Sequence, residues 1–313
     1  MALFAMSLAQ GDTILGITIK SNTMECYLRA AALLSTNARL LDPRLDIFGK
    51  TAEPIKRVLR EQKRWETVPN RRHPVTTSMV RLMHKIALRS DPDSLQAALF
   101  DWNVLGRVYG FRCSEWAQNE EDRKNFPKLH IDGTPLAFIF HDFTFKGRNE
   151  LHLDQDFNRD LDPSDVASGE CVWRYQKNLD NGQRIPIVRN YKDPSLCPVL
   201  AALRIRERAR RLNSSAHETI AKYRCNAGKI RYITNKHISK HLQQVASTVY
   251  NVTNRETLKL WTPHSIRVGA CVLLQEAGKD GPFIQMRLRW RSLAFMAYLR
   301  NTITLATQHI QST

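Results

Sequence analysis

The sequence predicts a mainly α-helical protein with one small antiparallel β-sheet, an α+β chain. Apolar residues recur at helical spacing in most segments, as in Glu53–Trp65 and Thr234–Val249. The period changes in one region, Ala137 to Arg189, where aromatic and β-branched residues partly alternate around an Asn181-Gly182 pair. With 313 residues, 42% of them hydrophobic, the chain can build two domains or one large one.

Residues 1 to about 70 read as helical. Ser21-Asn22-Thr23 is expected to cap a helix running through MECYLRAAALLS, and Glu53–Trp65 places Ile55, Val58 and Leu59 on one face. Lys56, Arg57, Arg60, Lys63, Arg64, Arg71 and Arg72 make this part strongly basic. A solvated helix face explains such a run in most proteins; a face turned to DNA is the alternative. Pro69 to Pro74, with two prolines bracketing polar residues, reads as a linker, and the domains are expected to be 1–72 and 73–313.

Ser94 to Trp116 is long and apolar, with Leu95, Ala98, Leu99, Trp102 and Leu105 in helical period and Gly106 and Gly110 expected to interrupt it. Arg112 and Glu115 follow, three apart. Such a pair is ordinary on an exposed helix. Inside an apolar segment, however, an arginine needs a partner or a ligand, and Glu115 can hold its guanidinium.

CVWRYQK and QRIPIV flank Asn178-Leu179-Asp180-Asn181-Gly182, which predicts a hairpin with Lys177 at its edge. A lysine beside a turn is usually only solvated, but a hairpin tip can also lower one into a DNA groove. Residues 196–222 read as a basic amphipathic helix with a polar tail. Thr234–Val249 is another helix, with Ile238, Leu242, Val245 and Val249 on one face. Neither carries chemistry of its own.

The stretch Thr262 to Asn301 holds the densest set of reactive residue types. Pro263 is placed to open a helix, an apolar stripe from Ile266 to Ala277 continues it, and Gly278 is placed to end it. His264 and Arg267 then share one face of the first turn, at a helix N-terminus suited to a phosphate. A His-x-x-Arg pair arises by chance about once in so basic a chain, so its weight comes from its company. That company is Trp290 in an Arg-rich turn, and Tyr298 beyond it.

A net charge of +17 and a pI near 9.9, spread along the chain, point to a polyanion and foremost to nucleic acid. The six cysteines form no Cys-x-x-Cys, and no histidine cluster has zinc-ligand spacing, so neither a metal nor a disulfide framework is expected. Reduced, buried thiols in an intracellular protein are the expectation. The N-terminus lacks a signal-peptide pattern, and no run of about 18 apolar residues predicts a membrane span.

In order, Arg112, Lys177, His264, Arg267, Trp290 and Tyr298 resemble the active-site series of the tyrosine recombinases, the phage-integrase superfamily. GFRCSEW resembles the family's Gly-x-Arg-x-x-Glu box, Lys177 its β-turn lysine, PHSIRVGA its His-x-x-Arg box, and RWRSLAFMAYLRN the box that ends in the nucleophile. The last two are especially similar to recombinases of eukaryotic mobile elements, the Crypton and DIRS-like groups. Trp290 stands where many members have histidine, and its spacing to Tyr298 is one residue shorter than in much of the family.

The resemblance implies a catalytic domain from about residue 75, preceded by a helical core-binding domain that contacts DNA. It implies that Tyr298 attacks a DNA phosphate to give a 3′-phosphotyrosyl link. Arg112 and Arg267 would clamp the phosphate, His264 would help take the tyrosine proton, Lys177 would protonate the leaving oxygen, and Trp290 would donate a hydrogen bond. Glu115 would support Arg112 from behind. No metal, ATP or other cofactor is implied. The partner would be double-stranded DNA, bound as a homotetramer on two duplexes, away from membranes and in the nucleus if the host is eukaryotic. The tail Leu299–Thr313 would dock on a neighbour or fray. The alternatives are a DNA-binding relative that no longer cuts, and a type IB topoisomerase-like enzyme.

Overall fold

The structure, a computed structural model, describes residues 1–12, 18–66, 71–118, 128–153, 160–176 and 180–299. Lys177 and the tail beyond Leu299 lie outside the described residues. The chain divides into two compact units, Met1–Asn70 and Arg71–Thr313.

The first unit holds three helices: α1 (Ala2–Gln10), α2 (Ser21–Asn37) and α3 (Glu53–Trp65). They meet on Ala5, Leu28 and Ile55, with Val58 and Leu59 packed at the margin. The expected side-chain cap of α2 is absent. The helix begins at Ser21 itself, whose backbone N–H donates to the Glu66 carboxylate at the far end of α3. A carboxylate brought from elsewhere in the fold thus serves the N-terminus that a local hydroxyl was expected to serve. Arg57, Arg60, Lys63 and Arg64 are exposed on α3, where Arg60 pairs with Glu53 and Arg64 with Glu61.

The second unit is built around α5 (Leu95–Tyr109), which follows α4 (Thr77–Ala87) and is buried along most of its circumference. Ser94 caps α5 by accepting from the Ala97 N–H, and Gly110 ends it in the left-handed region. Gly106 does not interrupt the helix. It lets a later helix approach: a Cβ there would lie 2.4 Å from the Ile266 Cγ2. Trp102 of α5 stacks on Trp116 at 4.8 Å between ring centroids, and Phe111, Phe138, Phe143 and Trp173 extend that cluster.

The predicted sheet is present. Strands β1 (Phe143–Lys146), β2 (Ser168–Trp173) and β3 (Gln183–Val188) pair antiparallel in the order β1-β2-β3. Their inward residues, Phe143, Phe145, Cys171, Trp173, Ile185 and Ile187, are buried and alternate with more exposed ones. Pro186 sits in the edge strand β3, where its missing N–H breaks no ladder.

Helix α6 (Pro198–Arg211) stops eleven residues short of the expected limit at 222, because residues 215–221 run without helix into a hairpin, β4 (Lys222–Arg224) and β5 (Ile230–Tyr232). Three-residue strands leave too little alternation to read. The α6 arginines turn to carboxylates rather than lining one open face: Arg204 and Arg208 both bond Asp101, each at 2.6 Å, and Arg211 bonds Asp93.

Helix α7 (Asn235–Tyr250) is capped by Thr234, then come α8 (Arg255–Leu258), α9 (His264–Glu276), α10 (Gly281–Arg287) and α11 (Met296–Leu299). Gly278 ends α9 as expected: its N–H goes to the Gln275 carbonyl and that of Lys279 to Leu274. Residues 71–75 are packed into this unit, where His73 and Val75 donate to the Leu260 and Ser265 carbonyls. Cys171, Cys197 and Cys271 are buried, while Cys26 is exposed, against the expectation that all six would be buried. No described helix is long and apolar enough to cross a membrane.

Candidate active site

Five of the six series residues lie among the described ones, and the fold links them through a small set of contacts. Helix α9 presents His264 and Arg267 on its first turn, and it sits close to α5 because Gly106 and Gly269 carry no side chain. A Cβ on Gly269 would lie 2.5 Å from the Val75 carbonyl oxygen. Directly after α5 and Gly110, the chain extends through Arg112 and closes a 3-10 turn, Cys113–Glu115.

Glu115 is the hub of the buried charge. One carboxylate oxygen accepts the Arg112 backbone N–H at 2.9 Å and the Trp173 indole N–H at 3.2 Å. The Arg112 Nη1 donates to the other oxygen at 3.1 Å. Arg289 grips both oxygens with both terminal nitrogens, each at 3.1 Å. Burial pushes the Glu115 carboxyl pKa up, but Arg289 and the other donors more than offset this and hold it below the ordinary range. Glu115 is therefore ionised at neutral pH.

Arg267 is buried and faces inward. Its Nη1 donates to the Gly110 carbonyl and its Nη2 to that of Leu288 at 2.8 Å. Its guanidinium carbon lies 4.2 Å from the centre of the Trp290 ring, a cation–π contact. Burial, then the neighbouring charge of Arg112, brings the Arg267 pKa down to about 10, so it stays charged at neutral pH. Trp290 also packs at a tilt against Phe295 and Tyr298, with ring centroids 6.2 Å apart in each pair. Its indole nitrogen is shielded from solvent and lies beside the Cys271 thiol, so in this conformation it does not reach an outside phosphate as expected.

Tyr298 meets His264: the hydroxyl is 2.8 Å from the imidazole Nε2. Partial burial, then the charges of Arg267 and Arg72, lowers the His264 pKa below its usual 6.5. The imidazole is neutral at neutral pH and can take a proton. Burial, aided by Cys271, raises the Tyr298 hydroxyl, against the pull of Arg71, Arg267 and Arg72. Arg71 donates to the Ala297 carbonyl at 2.5 Å, one residue before Tyr298.

Arg289, Gln176 and Trp173 were not singled out from the sequence, and Arg71 only as a member of a basic run. Arg287, Arg289 and Arg291 alternate along one stretch and look equivalent there. In the fold they part: Arg287 donates to the Pro186 carbonyl, Arg289 to Glu115, and Arg291 to Asp180. Among the described residues no group of three or more His, Cys, Asp or Glu is arranged to hold a metal. Arg112 and Arg289 share the one carboxylate of Glu115, and Arg267 lies within range of its charge, a positive excess that suits an anion such as a phosphodiester.

No protein-family model matches the chain, and no curated protein does. Among solved structures, it is similar to the Tn1549 transposon integrase in complex with transposon right end DNA. That match has 14% identity, covers 94% of this chain and 80% of the other, and has a TM-score of 0.46. The same integrase in complex with circular intermediate DNA matches at 13% identity, over 99% and 83% of the two chains, with a TM-score of 0.41.

Proposed function

We propose that this chain is a tyrosine recombinase that cuts and rejoins double-stranded DNA with Tyr298 as nucleophile. The observation that carries the reading is the 2.8 Å contact between the Tyr298 hydroxyl and the His264 Nε2, with the guanidiniums of Arg267, Arg71 and Arg72 near the pair. The phenol oxygen attacks the scissile phosphorus, and its proton passes to neutral His264. The bond from phosphorus to the 5′-oxygen breaks, leaving a 3′-phosphotyrosyl link. Lys177, assigned from sequence alone, protonates the leaving oxygen. Arg112, and Arg267 if it turns outward from its backbone partners, neutralise charge building on the non-bridging oxygens. A second 5′-hydroxyl reverses the step, so the strand is resealed with no metal or ATP.

On this reading the unit from Arg71 onward is the catalytic domain, and the basic helices before it add DNA contacts. A homotetramer on two duplexes, a kinship with recombinases of eukaryotic mobile elements and a nuclear site of action belong to the same proposal. A DNA-binding relative that no longer cuts is the second reading. What favours it is Arg267, 2% exposed with both terminal nitrogens donated to backbone carbonyls.

Covalent trapping separates the two. Wild type and Tyr298→Phe are incubated without divalent metal on nicked duplexes made from the sequences flanking the coding region. An adduct that survives denaturation, forms with wild type only and maps to Tyr298 by mass spectrometry supports cleavage. Salt-sensitive binding with no adduct on the bound site sinks it.

A further inference from the structure

Arg289 occupies a backbone conformation that side-chain-bearing residues adopt uncommonly. Its φ is +57°, in the left-handed region where glycine is the default and a side chain is strained. The side chain that remains there is 2% exposed and is held through both of its terminal nitrogens. It forms the two-pronged pair with Glu115, lies 3.9 Å over the Trp173 ring and donates to the Gln176 Oε1 at 3.1 Å. Its own carbonyl is 3.5 Å from the Arg267 Nη2.

These contacts join three separate parts of the chain. Glu115 carries Arg112 through both the backbone N–H and the guanidinium. Gln176 is the residue before Lys177, and its side chain also spans the hairpin to the Asp180 carbonyl and to Gln183. Trp290 follows Arg289 directly and covers Arg267. A planar guanidinium can make the two parallel bonds to Glu115 and still reach Gln176, whereas a lysine offers a single point of attachment.

We propose that Arg289 is a positioning residue: through Glu115 it sets the direction of Arg112 toward the substrate phosphate, and through Gln176 it ties the end of β2 to Asp180 and to Gln183 at the start of β3. This rests on the cleavage reading above, and Arg289 itself does not touch the DNA. An anion bound by Arg112 is then held by a side chain aligned before the substrate arrives, which is where a small misplacement costs rate rather than affinity.

The test uses the full chain in three forms, wild type, Arg289→Lys and Arg289→Gly. Lysine keeps the charge, and glycine relieves the backbone at positive φ, so the two variants fail differently if the fold is the weak point. Thermal melting and DNA affinity are measured beside the single-turnover rate of adduct formation. Both variants are expected to bind DNA within about twofold of wild type and to form adduct about a hundredfold more slowly. A second substrate carries a neutral methylphosphonate at the cut phosphate, where Arg112 has less charge to meet. If Arg289 acts through Arg112, the rate loss shrinks on that substrate, as does the loss for Arg112→Ala. An equal loss on both substrates, or an Arg289→Lys rate equal to wild type, overturns the proposal while leaving the cleavage reading intact. Absence of any adduct with wild type overturns the cleavage reading and this one with it.

Discussion

The His264 Nε2 lies 2.8 Å from the Tyr298 hydroxyl, joining the first residue of α9 to α11 across thirty-four positions of sequence. One partner is held neutral and the other held protonated. Burial favours the uncharged form of each, so the pair is set for a proton to move from tyrosine to histidine as phosphorus is attacked.

The pH profile of adduct formation follows from that pair. His264 must be neutral to act, and its pKa lies below 6.5, so the rate should rise through the acidic range and level off before neutrality. His264→Gln should remove this rise and lower the rate by about a hundredfold, within the usual range for losing a general base. A rise centred above pH 7 in wild type would contradict the assignment.

Removing the Glu115 carboxylate should unsettle the fold as well as the site. Glu115→Ala leaves the buried Arg289 guanidinium without its charge partner, at a cost of about 3 kcal/mol or more. The double variant Glu115→Met, Arg289→Met should recover much of that stability without recovering adduct formation. Urea midpoints at an unchanged m-value read the first effect, and trapping reads the second.

Close packing of α9 depends on two absent side chains. In Gly269→Ala the new methyl meets the Val75 carbonyl at 2.5 Å, and in Gly106→Ala it meets the Ile266 Cγ2 at 2.4 Å. Each should cost about 1–3 kcal/mol despite alanine's better helix propensity. Both should also slow adduct formation, since α9 carries His264 and Arg267. Denaturant melts that match wild type would show that α9 has room to move.

His241 on α7 makes acid stability testable apart from the chemistry. Burial takes its pKa from 6.5 down to about 4. Its neutral form is the one that folds, so stability present above pH 6.5 is lost as pH falls from 6.5 toward 4 and the unfolded chain gains the proton. The loss amounts to about 3 kcal/mol for this group alone. His241→Leu should flatten that part of the curve in denaturation melts taken from pH 7 to pH 4.

Short-range pattern was enough for much of this protein. Helix α3 runs over the expected Glu53–Trp65, α7 lies within one residue of the expected Thr234–Val249 at each end, Gly278 closes α9, and a β2–β3 pair forms around Asn181-Gly182. The physical reason is that periodicity, caps and turns act over a few residues and are written locally. The pairing of Arg112 with Glu115 was legible for the same reason, being three residues apart.

Selection among like residues was not local. Nothing in MRLRWRS sets Arg289 apart from Arg287 and Arg291. Glu115, 174 positions earlier in the chain, does so only once α5, the sheet and the segment after α10 are packed. Likewise Gly106 reads as a break until α9 is laid across it, and Ser21 reads as a cap until Glu66 arrives to take its N–H. Buried charge needs a partner but not a particular sequence distance, and close contact is a property of two surfaces. Those choices were made by the packing of the whole unit.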